Sequence, residues 1–229
     1  MPDPLSDDPL LSGPRPLRLP RVLRDEGDAA AVDVLREYFT RAVVKTGYLR
    51  PGALWDGWDP SGRRAADRDV FTADDLVAAT LLSVQVPAQG ALELLGDRRS
   101  EFADLLSVIG PDRDLVAESE VLTPDSAQWR LETALTGIHG IGRTIASKLI
   151  ARKRPRLHPI YDDVVGRELG TRTEHLETVR SALRADDGAL HRRLVGLRVA
   201  AGLDDAVSAL RILEVLAWMQ GKKYVPLTG

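Results

Sequence analysis

Hydrophobic residues recur at the spacing of an α-helix along most of the chain, and no segment shows the convincing alternation that is typical of a strand. In residues 28–44, for example, Val32, Leu35 and Phe39 fall on one side and Arg36 on the other. The pattern therefore predicts an all-α fold. Its last helix is apolar on most of its circumference, which indicates a central support.

Local signals place the helix ends. Thr72 and Asp75 form a capping box, and Thr123 followed by Pro124 has the sequence of an N-cap and a first helical position. Asp162 or Asp163 can cap a helix that Gly170 ends. The other predicted helices are 88–95, 99–109, 124–136, a segment that begins at 143, 174–183, 187–199 and 204–219.

Two segments lack helical periodicity. Residues 1–20 are rich in Pro, Asp and Leu, which predicts a flexible N-terminal arm before a single helical unit over 21–229. The second segment, 46–70, carries Tyr48, Trp55 and Trp58 among several arginines. Such rings either stack on exposed bases or pin a long loop onto the core, and the sequence leaves both interpretations open.

Composition limits the classes of function. A chain of 229 residues can bury a core as one domain or one two-lobed unit. It contains no cysteine, which excludes disulfides, thiolate metal sites and a cysteine-ligated iron-sulfur cluster. With no apolar run of transmembrane length and no signal-peptide pattern, we expect a soluble, cytoplasmic protein without membrane contact.

Charge is unevenly distributed. The net charge is -3, yet the residues from Arg143 to Arg156 include six basic side chains and no acidic one: Arg143, Lys148, Arg152, Lys153, Arg154 and Arg156. This run predicts a face that attracts phosphate, or simply a solvated helix face followed by a basic loop.

Two glycines mark the most informative turn. Gly140 and Gly142 flank Ile141 between two amphipathic helices, within the stretch Ile-His-Gly-Ile-Gly-Arg-Thr. Glycines let the backbone approach an anion closely, and the N-terminus of the following helix favours negative charge. The turn therefore predicts contact with a phosphate, as in DNA.

The order of helix, hairpin, second helix, basic loop and aspartate resembles the helix-hairpin-helix DNA glycosylase superfamily. The motif occupies 124–153 and a candidate active-site segment occupies 158–170. Within that segment Asp162, Val165 and Arg167 match the Asp-x-x-Val-x-Arg pattern of the endonuclease III branch. The segment is also similar to bacterial proteins in which Pro-x-Tyr-Asp-x-Val-Val recurs, a likeness that supplies no function.

The resemblance implies a helical fold with two lobes and a cleft, and hydrolysis of the N-glycosidic bond of a damaged or modified base in DNA. Asp162 would be the catalytic residue, with Asp163 as the alternative if the alignment shifts by one residue. Adjacent carboxylates at a helix start also have a structural explanation, because one caps the helix and the other favours its dipole. An open, aromatic-lined pocket would favour the enzyme, and a pocket filled by Tyr161 would favour binding alone.

The resemblance also implies how the DNA backbone is held. The groups that would contact a phosphate are the amides around Gly140, Gly142 and Thr144, helped by the charges of Arg143 and Lys148. Carbonyls of Thr136, Ile138 and Ile141 would hold a monovalent cation, K⁺ or Na⁺, and no other cofactor is required.

Thr144 occupies the position at which backbone-cutting relatives have a lysine, so a glycosylase of this sequence would be monofunctional. The alternatives are a non-catalytic helix-hairpin-helix DNA-binding protein and a helical protein with no nucleic-acid role. A protein partner cannot be predicted from the sequence. Of the histidines, His139 belongs to the hairpin, and we expect surface positions for His158, His175 and His191.

Overall fold

The computed structural model describes residues 16–25 and 27–224. All regular structure in these ranges is helical, which confirms the all-α class. The helices are α1 (Arg21–Arg24), α2 (Gly27–Phe39), α3 (Ala73–Leu81), α4 (Ala88–Leu92), α5 (Arg99–Ile109), α6 (Ala127–Thr136), α7 (Arg143–Lys153), α8 (Asp163–Leu169), α9 (His175–Ala200) and α10 (Ala209–Gly221). Short 3₁₀ turns occupy Pro51–Ala53 and Leu115–Ala117, and a π-helical turn over Glu93–Asp97 follows α4.

Helix α10 lies at the centre, as its apolar sequence predicts. It packs against α2, α8 and α9, and side chains such as Ile212 and Leu216 have no exposed surface. The helix begins later than expected, because the hydroxyl of Ser208 accepts the amide of Arg211 at 3.1 Å and caps it there. Two charged side chains, those of Arg211 and Glu214, are buried with it.

Helix ends that depend on local chemistry lie where the sequence predicts them. The capping box of Thr72 and Asp75 opens α3, α5 has the predicted bounds, and Gly170 ends α8 in the left-handed conformation at φ 72°. Helix α9 spans both predicted helices, and non-helical backbone at Ala185–Gly188 separates them.

Other predicted ends are wrong. Helix α2 stops at Phe39 and does not continue to residue 44. The first helix of the hairpin motif begins at Ala127, with Ser126 as the N-cap, and not at Pro124.

The N-terminal arm is only partly testable, since residues 1–15 lie outside the described ranges. Residues 16–20 are not loose, contrary to the prediction. The amide of Arg18 donates to the carbonyl of Leu169 at 3.0 Å, and Leu17 and Leu19 pack against the core. The last carbonyls of α8 lack partners within their own helix, and Arg18 supplies donors for them.

No helix in the described part of the chain is long and apolar enough to cross a membrane.

Candidate functional site

A cleft of about 490 Å³ opens beside the central helix. Its walls come from α10, from the start of α8, from one face of α7 and from the segments around residues 38–52 and 81–84. The polar and aromatic side chains that line it are Tyr38, Arg50, Ser83, Thr144, Lys148, Asp162, Asp163, Arg211, Glu214, Trp218, Lys222 and Tyr224. Its volume lies in the range of small-molecule sites.

Asp162 stands at the cleft wall as the N-cap of α8. Its Oδ1 accepts the amide of Val165 at 2.8 Å, while Asp163 is the exposed first residue of the helix. One carboxylate thus caps the helix and the other lies in its first turn, in agreement with the structural explanation of the pair. Both residues also border the cleft.

Tyr161 does not fill the cleft. Its ring lies 4.1 Å from the guanidinium carbon of Arg143 and meets His175 edge-on at 5.5 Å. The ring also closes over Gly166, where an added Cβ would lie 2.6 Å from it. The space beside Asp162 therefore remains open.

The hairpin glycines have different environments. Gly140 adopts φ +81°, and a Cβ there would lie 2.8 Å from Pro87, so glycine is required for the turn itself. Gly142 has an ordinary φ and nothing within 4 Å of an added Cβ. No side chain of the described residues caps α7, so its first amides remain for an external acceptor.

Arg143 is partly buried and is bound to other parts of the protein. It donates to Glu132 at 3.2 Å and to the carbonyl of Arg172 at 2.6 Å. At the predicted cation site, the carbonyl of Ile138 already accepts the amide of Ile141 at 3.0 Å. A monovalent cation at the carbonyls of Thr136, Ile138 and Ile141 stays a prediction.

Most of the basic run is buried, so the predicted phosphate-attracting face is wrong. Lys148 is 4% exposed and donates to the carbonyl of Leu82 at 2.9 Å, inside the cleft and not beside the hairpin turn. Arg152 and Lys153 meet Asp75 at 3.3 and 2.5 Å. These cations are paired with acceptors inside the protein and do not form a charged surface.

Two further basic residues of the run are also paired. Arg154 donates to the carbonyl of Gly110 at 2.6 Å and pairs with Asp69. Arg156 pairs with Asp114 at 2.9 Å. The partners come from distant parts of the chain, so the run's position in the sequence could not reveal them.

The aromatic residues of the 46–70 loop separate into two groups. Trp55 is 1% exposed and packs against Ala78, Ala151 and Ile160, so it pins the loop and cannot stack on a base. Trp58 is partly buried beside the same cluster, whereas Tyr48 is 78% exposed. The prediction that Trp55 stacks on a base is therefore wrong. For Tyr48 and Trp58, base stacking stays a prediction.

The cleft has aromatic groups that the sequence analysis did not single out. Tyr38 meets Trp218 edge-on with ring centroids 5.9 Å apart, and Trp218 lies 5.7 Å from Tyr224. Arg50 and Lys222 lie over Tyr224 and Trp218, respectively, at 5.5 and 5.9 Å. A planar ligand at this end of the cleft would therefore meet aromatic rings as well as positive charge.

Arg211 occupies the interior side of the cleft. Its guanidinium donates to Asp56 at 3.3 Å, to the hydroxyl of Tyr38 at 3.0 Å and to the carbonyl of Gly52 at 2.9 Å. These three contacts bind the start of the long loop and α2 to α10. The cation is thus fully used by the protein.

Glu214 lies one turn further along α10 and also borders the cleft. Its Oε1 accepts the amide of Ile160, and burial raises the pKa of its carboxyl to about 8 despite the charge of Arg211. Glu214 therefore carries a proton at neutral pH. Burial has the opposite effect on Lys148, whose pKa is lowered.

Two histidines expected at the surface are buried. Burial lowers the pKa of His158 and of His175 to about 3, so both are neutral at pH 7. His175 donates from Nε2 to the carbonyl of Ile160 at 3.1 Å, and its Nδ1 accepts the Thr171 hydroxyl at 2.7 Å. Both histidines therefore lie in the interior near Ile160 and not at the surface.

Over its described residues the protein is thus all-helical, with an open cleft lined by polar and aromatic side chains. Residues 31–221 match the family described as Family of unknown function (DUF6308), and the chain belongs to that family. The match runs from α2 to the end of α10 and contains Asp162 and Glu214. No curated protein and no solved structure matches the chain. In the described ranges no group of three or more His, Asp and Glu residues could hold a metal ion.

We expect the Glu214→Gln variant to remove a pH dependence of stability. Because the carboxyl pKa rises from 4.5 to about 8 on folding, the native state binds one more proton than the unfolded state between these values. Wild-type stability therefore falls, relative to the variant, by ~1.4 kcal/mol per pH unit as pH rises through this window. Urea unfolding of both proteins from pH 4.5 to 8 measures the difference, and a constant difference would contradict the burial argument.

Proposed function

We propose that the cleft is the active site of a monofunctional DNA glycosylase, which hydrolyses the N-glycosidic bond of a damaged or modified base. The proposal rests on one observation: Asp162 borders an open, aromatic-lined cleft whose wall includes Thr144 of the hairpin motif. The fold would then be of the helix-hairpin-helix glycosylase type, with this cleft between its two lobes.

The lining of the cleft suits a base that has left the DNA stack. Trp218 and Tyr224 offer ring faces and edges, and stacking on such a ring contributes roughly 1–3 kcal/mol per base. A glycosylase must take its target out of the duplex before it can reach the glycosidic bond. The cleft provides the apolar surface and the polar groups to receive it.

Asp162 would act on the sugar. Cleavage of the glycosidic bond builds positive charge on the ring, and a fixed carboxylate stabilises that charge and orients the attacking water. The amide of Val165 holds Oδ1 at 2.8 Å and so fixes the side chain at the start of α8. Asp163, exposed at the rim, is the weaker candidate.

The DNA backbone would meet the uncapped start of α7 and the rim of the cleft. The hairpin amides supply donors for one phosphate, and the exposed Lys222 borders the cleft. With most of the basic run buried, few cations remain for phosphates. Affinity for DNA would then be modest and sensitive to salt.

We expect Asp162→Asn to abolish base release and to preserve folding, since asparagine is also a good N-cap. The assay incubates wild type and variant with duplexes that carry alkylated, deaminated and oxidised bases, and scores abasic sites after alkali. The expected loss is at least about 100-fold, the size typical for a positioned catalytic group.

Asp163→Asn is the matched control and should retain base release. The reverse pattern would move the catalytic assignment to Asp163. Duplex binding by wild type without release of any base would favour the non-catalytic DNA-binding alternative.

Gly142 offers a clean test of the hairpin. We expect Gly142→Asp to cap α7, keep or raise stability, and weaken duplex binding, because its carboxylate occupies and repels the phosphate position. Gly142→Asn is the uncharged control and should weaken binding less. Fluorescence anisotropy with an undamaged duplex at two salt concentrations measures both.

Gly140→Ala is not equivalent, because positive φ and the contact with Pro87 make it destabilising by about 1–2 kcal/mol. Unchanged affinity of Gly142→Asp would show that the hairpin does not hold a phosphate.

A monofunctional enzyme should form no covalent complex with abasic DNA when borohydride is added. Thr144 cannot form a Schiff base, and the amine of Lys148, one turn further on, donates to Leu82. A trapped complex would contradict the monofunctional assignment. Its loss in Lys148→Arg but not in Lys222→Arg would identify Lys148 as the nucleophile.

A further inference from the structure

Glu214 borders two cavities at once. One is the cleft, and the other is a small cavity of about 10 Å³ with a mixed polar and apolar lining that includes Asp56, His158, Ser208 and Arg211. The buried Nδ1 of His158 has no hydrogen-bond partner among the described residues. A space of this size suits a single water, which would give that nitrogen a partner. Glu214 therefore lies between the cleft and a small space behind it.

Burial, which disfavours the anion, raises the pKa of Glu214 although several charged groups face it. The titratable and charged groups that face it are Arg211 on its own helix, Asp56 from the long loop, Asp162 from α8, Lys148 from α7 and His158 in the small cavity. Arg211 is engaged by Asp56, by Tyr38 and by the carbonyl of Gly52. Glu214 itself receives a backbone amide, that of Ile160.

Asp162 and Glu214 thus border the same cleft in different environments. Asp162 accepts an amide at a helix N-terminus and is partly exposed, whereas Glu214 is 4% exposed on a central helix. Two carboxyl groups in unlike environments are suited to different parts of an acid-base reaction.

We propose, building on the glycosylase function above, that Glu214 is the general acid that protonates the departing base. As the C1′–N bond breaks, its electron pair stays with the base, which takes the proton from Glu214 through a ring nitrogen or carbonyl oxygen. Water then adds its oxygen to C1′ and releases one proton, which restores the acid. The atoms and charges balance without any other reactant.

This role specifies a class of substrate. An uncharged base, such as a deaminated purine, is a poor leaving group and gains most from a proton donor. An N-alkylated purine such as 7-methylguanine is already cationic and leaves as a neutral molecule without one. The cleft is therefore built for an uncharged base that offers a hydrogen-bond acceptor to α10.

The test compares release of hypoxanthine and 7-methylguanine from matched duplexes by wild type and Glu214→Gln. Glutamine keeps an oxygen for the amide of Ile160 and lacks the acidic proton. We expect release of hypoxanthine to fall by about 100-fold or more, and release of 7-methylguanine to fall at least ten times less. Equal losses on both duplexes would mean a structural role, and release of 7-methylguanine alone by wild type would also overturn the proposal.

The pH profile of wild type gives a second readout that needs no variant. Release of hypoxanthine should decline as pH rises through about 8, where Glu214 loses its proton, and release of 7-methylguanine should show no such decline. A profile that is the same for both bases would refute the acid role even if Glu214→Gln failed to fold.

Failure of the glycosylase function is recognised separately. If wild type releases no base from any duplex, the proposed function fails. The infrared difference spectrum of wild type minus Glu214→Gln at pH 7 still decides whether Glu214 carries a proton, through its carboxylic-acid C=O band. Absence of that band would overturn the inference whatever the assays on DNA show.

Discussion

Buried positive charge is the constraint on which the rest of the structure depends. Helices α7 and α10 bring cations into the interior, and each costs several kcal/mol unless it meets an acceptor of matching geometry. The buried cations of α7, its C-cap and α10 are Lys148, Arg152, Lys153, Arg154 and Arg211, and most of their partners are carboxylates and carbonyls within residues 52–82. That long segment therefore has a structural task, which is to cover two helices and neutralise them.

The same pairing sets the electrostatics of the cleft. Asp56 engages Arg211, and Arg211 in turn holds Tyr38 and the carbonyl of Gly52 at the cleft wall. The charge of Arg211 lowers the pKa of Glu214, but burial outweighs this effect and raises the pKa to about 8. The pairing that closes the core therefore also acts on a carboxyl in the cleft.

Helix ends and turns that depend on local chemistry can be predicted from the sequence. Asp162 caps the start of α8 and Gly170 ends the helix in the left-handed conformation, and the turn at Gly140 follows from its need for a positive φ. The basic run failed as a predicted surface because Arg152 and Lys153 find Asp75, far away in the chain, and a linear pattern carries no trace of that pairing. The burial of the two neutral histidines was missed for the same reason.

The burial of Glu214 has a signal in the sequence. It is the one acidic residue among the apolar positions of α10, between Leu213 and Val215, and such a residue on a buried helix needs an explanation. The cleft aromatics Tyr38 and Trp218 could not be recognised in this way, because aromatic residues at helical spacing are ordinary core residues. Only the packing of α2 against α10 brings them to the same opening.

Two glycines allow close packing around helix α8. The ring of Tyr161 covers Gly166 on one side, and at the end of α10 a Cβ on Gly221 would overlap Val164. Contacts this close leave the helix no room to slide. The spacing between the backbones that carry Asp162 and Glu214 is therefore set by van der Waals radii when the chain folds. A molecule that enters the cleft would therefore meet a wall whose spacing close packing has already set.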